Sequence, residues 1–254
     1  MDILQAIILG IVQGITEWLP ISSSGHLVLF EHMLGLSQPL IFDIMLHIGS
    51  LFVVLFFFRK EIIELISGLL KGDREKFRIF IMIIIATIPI AIIGYFFRGI
   101  IGSIFKDLRT VGFAFLFTAL LLFLSKYPKR KEKSLSYMRA LGIGVFQAIA
   151  ILPGVSRSGS TISSGMILGV KKKDAAKFSF LIFIPAIIGA LILNITDIKE
   201  FTNPIPIIVG TIVSAITGYF SLKLLMNIIK KNKFSWFSVY CIILGIIVLA
   251  VAYL

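Results

Sequence analysis

Long apolar runs fill most of this chain, and the polar positions that interrupt them are of two kinds: basic clusters between runs, and two serine- and glycine-rich breaks inside them. The runs predict full-length membrane spans at about 41–58, 79–97, 110–125, 178–193, 206–225 and 236–254, because roughly 20 helical residues cross a bilayer core. They are continuous rather than alternating, which excludes a transmembrane β-barrel. The breaks fall within about 2–36 and 140–170, and only about ten residues follow each, Leu27 to Leu36 and Thr161 to Val170. At 1.5 Å per residue such a segment reaches about 15 Å, half the hydrocarbon thickness. Each break therefore predicts a re-entrant helix–loop–helix, a geometry allowed at depth only where protein or a polar cavity surrounds it.

The two breaks share one register. A shift of 134 residues places Gly10 on Gly144, Gln13 on Gln147, Ser22 on Ser156, Ser24 on Ser158 and Gly25 on Gly159. Weaker echoes relate Phe42–Ile48 to Phe178–Ile184 and Gly94-Tyr95-Phe96 to Gly218-Tyr219-Phe220. The expected fold is a single integral membrane domain, an all-α polytopic protein of two repeats, about 1–127 and 135–254. Each repeat holds one re-entrant pair and three transmembrane helices. Three is odd, so the second repeat is expected upside down, the inverted-topology plan common in transporters.

Charge tests that plan. The chain has 254 residues, 25 of them Lys or Arg, with a formal net charge of +12. Four regions that the plan puts on one side, 59–78, 126–139, 171–177 and 223–233, hold twenty of the 25. The other side holds Arg98, Lys106, Arg109 and Lys199, and Arg157 lies inside the second break. The positive-inside rule makes the rich side cytoplasmic and both termini external. The basic residues thus read as topology signals, not as a nucleic-acid surface, which needs them on one folded face. Charged residues make up only 15%, well under the quarter of soluble domains. The lone Cys241 lies in an apolar run and reads as packing, and no Lys or Arg precedes Arg59 to mark a cleavable signal.

The breaks carry the candidate chemistry. Gln13 and Glu17 are four apart and share a helix face. A charge near the membrane centre costs about 2.5–3.5 kcal/mol on insertion scales, so Glu17 reads as functional, either a cation ligand or a proton acceptor. Ser22-Ser23-Ser24-Gly25 precedes a short helix, and serine there caps the helix. A helix N-terminus also favours an anion, phosphate above all. Ser156-Arg157-Ser158-Gly159-Ser160-Thr161 repeats the arrangement and adds a guanidinium suited to bidentate phosphate binding. With the halves inverted, both N-termini and Arg157 converge on one oxyanion site. His26 adjoins the first cradle, where it suits a nucleophile or a general acid/base oriented by Glu17. Ser23 is the rival nucleophile, and His32 and His47 read as structural. Pro20, Pro89, Pro153 and Pro185 read as shaping helix ends and kinks.

At Gln13-x-x-x-Glu17 through Pro20-Ile-Ser-Ser-Ser-Gly-His26, and at Pro153-Gly-Val-Ser-Arg-Ser-Gly-Ser-Thr161, the chain resembles the undecaprenyl-diphosphate phosphatases, also called bacitracin-resistance proteins. The resemblance spans essentially the whole length. It implies a membrane hydrolase that removes the terminal phosphate of a polyprenyl diphosphate to recycle the carrier lipid for wall polymers. It implies that Glu17 and Gln13 form an acidic motif with divalent-cation dependence, Mg²⁺ or Ca²⁺. It places His26 and Ser23 at the catalytic centre, and Ser156, Arg157, Ser158 and Thr161 around the diphosphate. Many members carry glutamate where this chain has Gln13. Two rivals compete with this expectation. A lipid flippase or anion transporter fits the same architecture. The other large class of membrane lipid phosphatases needs a histidine after a downstream Ser-Arg, and none follows His47.

Overall fold

The computed structural model describes residues 1–36, 40–97, 99, 107–127, 133–194 and 204–253. Among them the chain is helical throughout, apart from turns and one isolated bridge between Lys133 and Val170. Helix α1 (Ile3–Trp18) starts at a reciprocal cap: Asp2 accepts the Gln5 N–H and the Gln5 side chain accepts the Asp2 N–H. A short turn leads into α2 (Ser23–Met33). The second break builds the same unit, α7 (Tyr137–Ile149) and α8 (Arg157–Ile167). Both α2 and α8 have 11 residues, about 16 Å of helix.

Helices α5 (Arg74–Phe96), α9 (Lys172–Asn194), α10 (Ile205–Lys230) and the segment Phe234–Tyr253, which ends in α11 (Phe237–Tyr253), are each long and apolar enough to cross a membrane. A fifth crossing forms if α3 (Leu40–Phe57) is counted with α4 (Arg59–Leu70), which it meets at a 72° bend. The protein is therefore an all-α, multi-pass membrane protein. Two elements differ from expectation. The stretch expected as a span at 110–125 is α6 (Leu108–Leu124), whose 17 residues sit at the lower limit for crossing. Residues 59–70, expected as part of a basic cytoplasmic stretch, form the amphipathic α4, with Ile62 and Leu65 turned inward and Lys60 and Glu64 outward. Arg98, Lys106, Lys199 and residues 128–132, which enter the charge count, lie outside the described residues.

Small residues set the packing. Helix α1 lies along α10, and a Cβ at Gly14 would overlap the Thr217 hydroxyl and the Ser214 carbonyl. Gly10 meets Gly210 in the same seam. In lipid, tight helix contact comes from such close approach rather than from hydrophobic gain. Hydroxyls stitch α10 to its neighbours: Ser221 donates to the Ile15 carbonyl of α1 at 2.6 Å and Ser214 to the Leu46 carbonyl of α3 at 3.0 Å. Helix α7 packs on α5 in the same way, Gly144 against the Ala86 backbone, and α6 meets α11 through Gly112 and Gly245. Under the two turns lies a core of Trp18, Phe58, Phe180, Phe183, Leu222 and Leu225, with the Trp18 ring edge-on to Phe180 and Phe183 at 5.5 and 5.4 Å. Ile92, Ile208, Ile212, Ile216 and Ile246 are exposed around the outside, as expected of surface that faces lipid.

Candidate active site

The two turns meet. Ser22 Oγ accepts the Gly25 N–H at 3.2 Å, and Ser156 Oγ accepts the Gly159 N–H at 3.0 Å, so each serine caps its helix. Ser158 Oγ donates across to the Leu19 carbonyl at 3.2 Å. A Cβ at Gly25 would stand 2.9 Å from Gly154 Cα, so the close approach requires glycine there. Thr118 of α6 buttresses the second turn, donating to the Gly154 carbonyl at 3.1 Å and accepting the Ser156 N–H at 2.9 Å. Ser22 sits at φ 67°, a left-handed conformation that costs a non-glycine residue roughly 1–3 kcal/mol.

Glu17, at the end of α1, is the hub. Its Oε1 accepts the Arg157 guanidinium at 2.6 Å. Its Oε2 accepts Ser23 Oγ at 2.6 Å and Gln13 Nε2 at 3.1 Å, and lies 3.2 Å from His47 Nε2. Glu17 is 6% exposed, so this carboxylate is compensated by four donors rather than by water. Arg157 also donates to the Ser179 carbonyl at 3.4 Å, and its guanidinium lies 4.1 Å from the Phe183 ring centroid, a stacked cation held in one orientation.

His47 is the residue that sequence reasoning missed. Its Nδ1 is 2.7 Å from the Asp43 carbonyl and its Nε2 faces the Glu17 carboxylate. Both ring nitrogens thus face acceptors, an arrangement that suits a doubly protonated imidazole. The signal was available: Asp43 and His47 are four apart in an otherwise apolar helix, the spacing that singled out Gln13 and Glu17.

His26 is elsewhere, and its expected pairing with Glu17 is not formed. Its Nδ1 lies 2.7 Å from the Ser22 carbonyl and its Nε2 2.7 Å from the Tyr240 hydroxyl, with Phe115 edge-on at 5.4 Å. A carbonyl only accepts, so Nδ1 carries the proton and a neutral ring accepts from Tyr240. Three residues beyond Ser23 the helix has risen about 4.5 Å and turned the side chain toward α11.

A cavity of about 550 Å³ opens from the hub. Glu17, Ser23, Ser24, Asp43, His47 and Arg157 line its polar end, with Ser156 beside them. The remainder runs between α5 and α9, along Ile90–Tyr95 and Pro185–Asn194, and is apolar. Of the other expected binding residues, Gln13, Ser22, Gly25, Ser158, Gly159 and Thr161 stand behind this lining as support. Thr161, for example, donates to the Arg157 carbonyl at 2.8 Å and shares a 2.5 Å contact with the Ser179 hydroxyl.

The donor set does not fit a metal held by the protein alone. Both Glu17 oxygens are engaged, Gln13 points its amide N–H at them, and its Oε1 is buried without a partner among the described residues. Among those residues no group of three His, Cys, Asp or Glu side chains is placed to hold an ion.

A polar hub of carboxylate, hydroxyl and guanidinium at the head of an apolar cavity suits an amphiphile with an anionic head. A family model described as bacitracin resistance protein BacA matches residues 6–247. The chain belongs to the BacA family. Similar BacA-type proteins include the undecaprenyl-diphosphatase of Methanobrevibacter smithii, 43% identical over 98% of this chain and 97% of that one. That of Carboxydothermus hydrogenoformans is 42% identical over the same shares. Undecaprenyl-diphosphatase 3 of Bacillus anthracis is 41% identical over 97% of each chain. The BacA match thus covers both turns and every residue of the hub.

Proposed function

We propose that this chain is an undecaprenyl-diphosphate phosphatase, which cleaves the terminal phosphate from the carrier lipid and so sustains wall-polymer synthesis and bacitracin resistance. The observation that carries the reading is the 2.6 Å contact of Ser23 Oγ with Glu17, beside Arg157, at the polar head of an otherwise apolar cavity. The lipid lies along the apolar part and its diphosphate reaches the hub. Ser23 Oγ attacks the terminal phosphorus as its proton passes to Glu17, and the bond from that phosphorus to the bridging oxygen breaks. Polyprenyl monophosphate leaves with the electron pair and takes up the proton that Glu17 received. Water then passes a proton to the regenerated Glu17 carboxylate as it attacks the phosphoserine, the bond from phosphorus to Ser23 Oγ breaks, and Oγ recovers that proton from Glu17 as inorganic phosphate leaves. Arg157 and the two capped helix N-termini offset the charge on the phosphoryl oxygens. Ser23 is preferred to His26 as nucleophile because it touches Glu17 and faces the cavity, whereas His26 does neither. Mg²⁺ or Ca²⁺ belongs to this proposal as a counter-ion carried in on the diphosphate, not as a resident ion.

Inverted repeats are part of the same proposal. Their support is the exchange of partners, α1 packing on α10 as α7 packs on α5, and α3 on α10 as α9 on α5. The proposal puts both termini and the mouth of the cavity on the outer face, a reading supported by the charge count. Detergent-purified protein is expected to release phosphate from undecaprenyl diphosphate, and Ser23→Ala to stop it. No release by the wild type, with lipid movement in liposomes, would favour the flippase instead.

A further inference from the structure

A second cavity, of about 400 Å³, lies against the first and plays no part in the chemistry above. Its walls are Ile84 and Ile88 of α5 and Ile184 and Ile188 of α9, and its floor is Ile62 and Leu65 of α4. Thr87, Ala91 and Pro185 line both cavities, so they form a throat between the two. Pro89 and Pro185 interrupt α5 and α9 at this level, where proline removes a backbone hydrogen bond and bends the helix. Helix α4 is tied to both walls: Glu61 pairs with Lys177 of α9 at 3.1 Å, and Glu64 with Lys76 of α5 at 3.6 Å. The 72° bend after α3 lays α4 across this end of the groove.

We infer that this groove, floored by α4 and entered through the throat, holds the distal part of the substrate's polyprenyl tail. The inference rests on the functional reading above. A pocket of roughly 300–1,000 Å³ encloses a drug-sized ligand, and an undecaprenyl chain is far longer, so most of it must leave the head-group cavity. The groove is the wholly apolar space continuous with that cavity, and it accepts a chain without burying any polar group. The paired carboxylates of α4 hold the floor against both walls.

An undecaprenyl diphosphate with a photoreactive diazirine on its terminal isoprene tests this in proteoliposomes, with phosphate release measured on the same preparation. Adducts are expected on Ile62, Ile84 or Ile188, and excess unlabelled undecaprenyl diphosphate should suppress them. Adducts spread over the lipid-facing surface, or undiminished by competitor, overturn the groove while hydrolysis continues. No hydrolysis by the wild type overturns the functional reading itself and the groove with it. In a second measurement, Ile84→Trp with Ile188→Trp is expected to lower the ratio of kcat/KM for undecaprenyl over farnesyl diphosphate about tenfold, the loss of roughly 55 Å² of tail burial. Ile246→Trp, on the opposite surface, serves as control. An unchanged ratio in the double variant overturns the assignment.

Discussion

Ser22 and Ser156 do the same local work: each caps an 11-residue helix through the glycine three residues on, and each lies 3.3 Å from a second serine hydroxyl. Two of the differences between the turns exchange the groups that meet at the hub. Where the first has Ser23 the second has Arg157, and where the first has Glu17 the second has Ile151. Gln13 donates to a carboxylate, whereas its counterpart Gln147 donates to the Ala86 backbone at 3.4 Å. The first turn holds Ser22 at φ 67°, while Ser156 rests at an unstrained −69°. A shared frame therefore fixes where groups point, and in the proposed reaction two exchanged residues make one side react and the other bind. Strain sits on the reacting side, where Ser23 must meet Glu17.

Removing the reacting pair should break the comparison most severely. Glu17→Gln and Ser23→Ala are each expected to lower phosphate release by about 10³-fold or more, within the range for lost acid–base assistance, in an assay on undecaprenyl diphosphate. Substantial turnover by Ser23→Ala would transfer the attack to water. On the binding side Arg157→Lys keeps the charge but loses the fork, and a fall of about 10²-fold is expected, expressed in KM as well as kcat. His47→Ala should cost about tenfold, and His47→Gln should recover much of it, because an amide N–H can still reach Glu17. Full activity in His47→Ala would reduce its contact with Glu17 to packing.

Smaller effects separate support from chemistry. His26→Ala removes one of the two donors to the Ser22 carbonyl and leaves only the backbone N–H, and misplacing Ser23 by about 1 Å is enough for a tenfold to hundredfold loss. That loss should come with a lower Tm, and Tyr240→Phe should shift both quantities the same way by less. A loss in His26→Ala with Tm and pH profile unchanged would return His26 to the reaction. Smallest of all, Ser156→Gly should destabilise by roughly a few tenths of a kcal/mol through its cap. In Ser22→Gly relief of the positive φ offsets that cost, leaving Tm near the wild type. Equal shifts in thermal melts would erase the proposed asymmetry in strain.

The two helix–turn–helix units were legible because their signals are local: a serine cap, a glycine three residues on, and a carboxylate one turn upstream. The convergence of both helix N-termini with Arg157 was legible through the internal repeat, which relates positions 134 residues apart, whereas the direct pairing of Arg157 with Glu17, 140 residues away, was not. Proximity along the chain misled at His26, since helical rise carried it to Tyr240, 214 residues away. His47 was hidden by the usual weighting of a lone histidine, although an ionisable group on an apolar intramembrane helix deserved the reading given to Glu17. Helix α4 was read through its charges, and the spacing of Ile62, Leu65, Ile66 and Leu69 that marks it as amphipathic was passed over.

The pairing of Arg157 with Glu17 has a consequence for what the enzyme lets go. Before any lipid arrives, the guanidinium is already satisfied, held at 2.6 Å by a carboxylate and stacked on Phe183. An incoming anion must compete with an internal one, and its head group alone gains little by doing so. A ligand with a long apolar tail brings a second source of affinity, so it can displace the internal partner where free phosphate cannot. Once the terminal phosphate is cut from its tail, Glu17 reclaims Arg157. On the proposed reaction, the site would thereby reject its own small product.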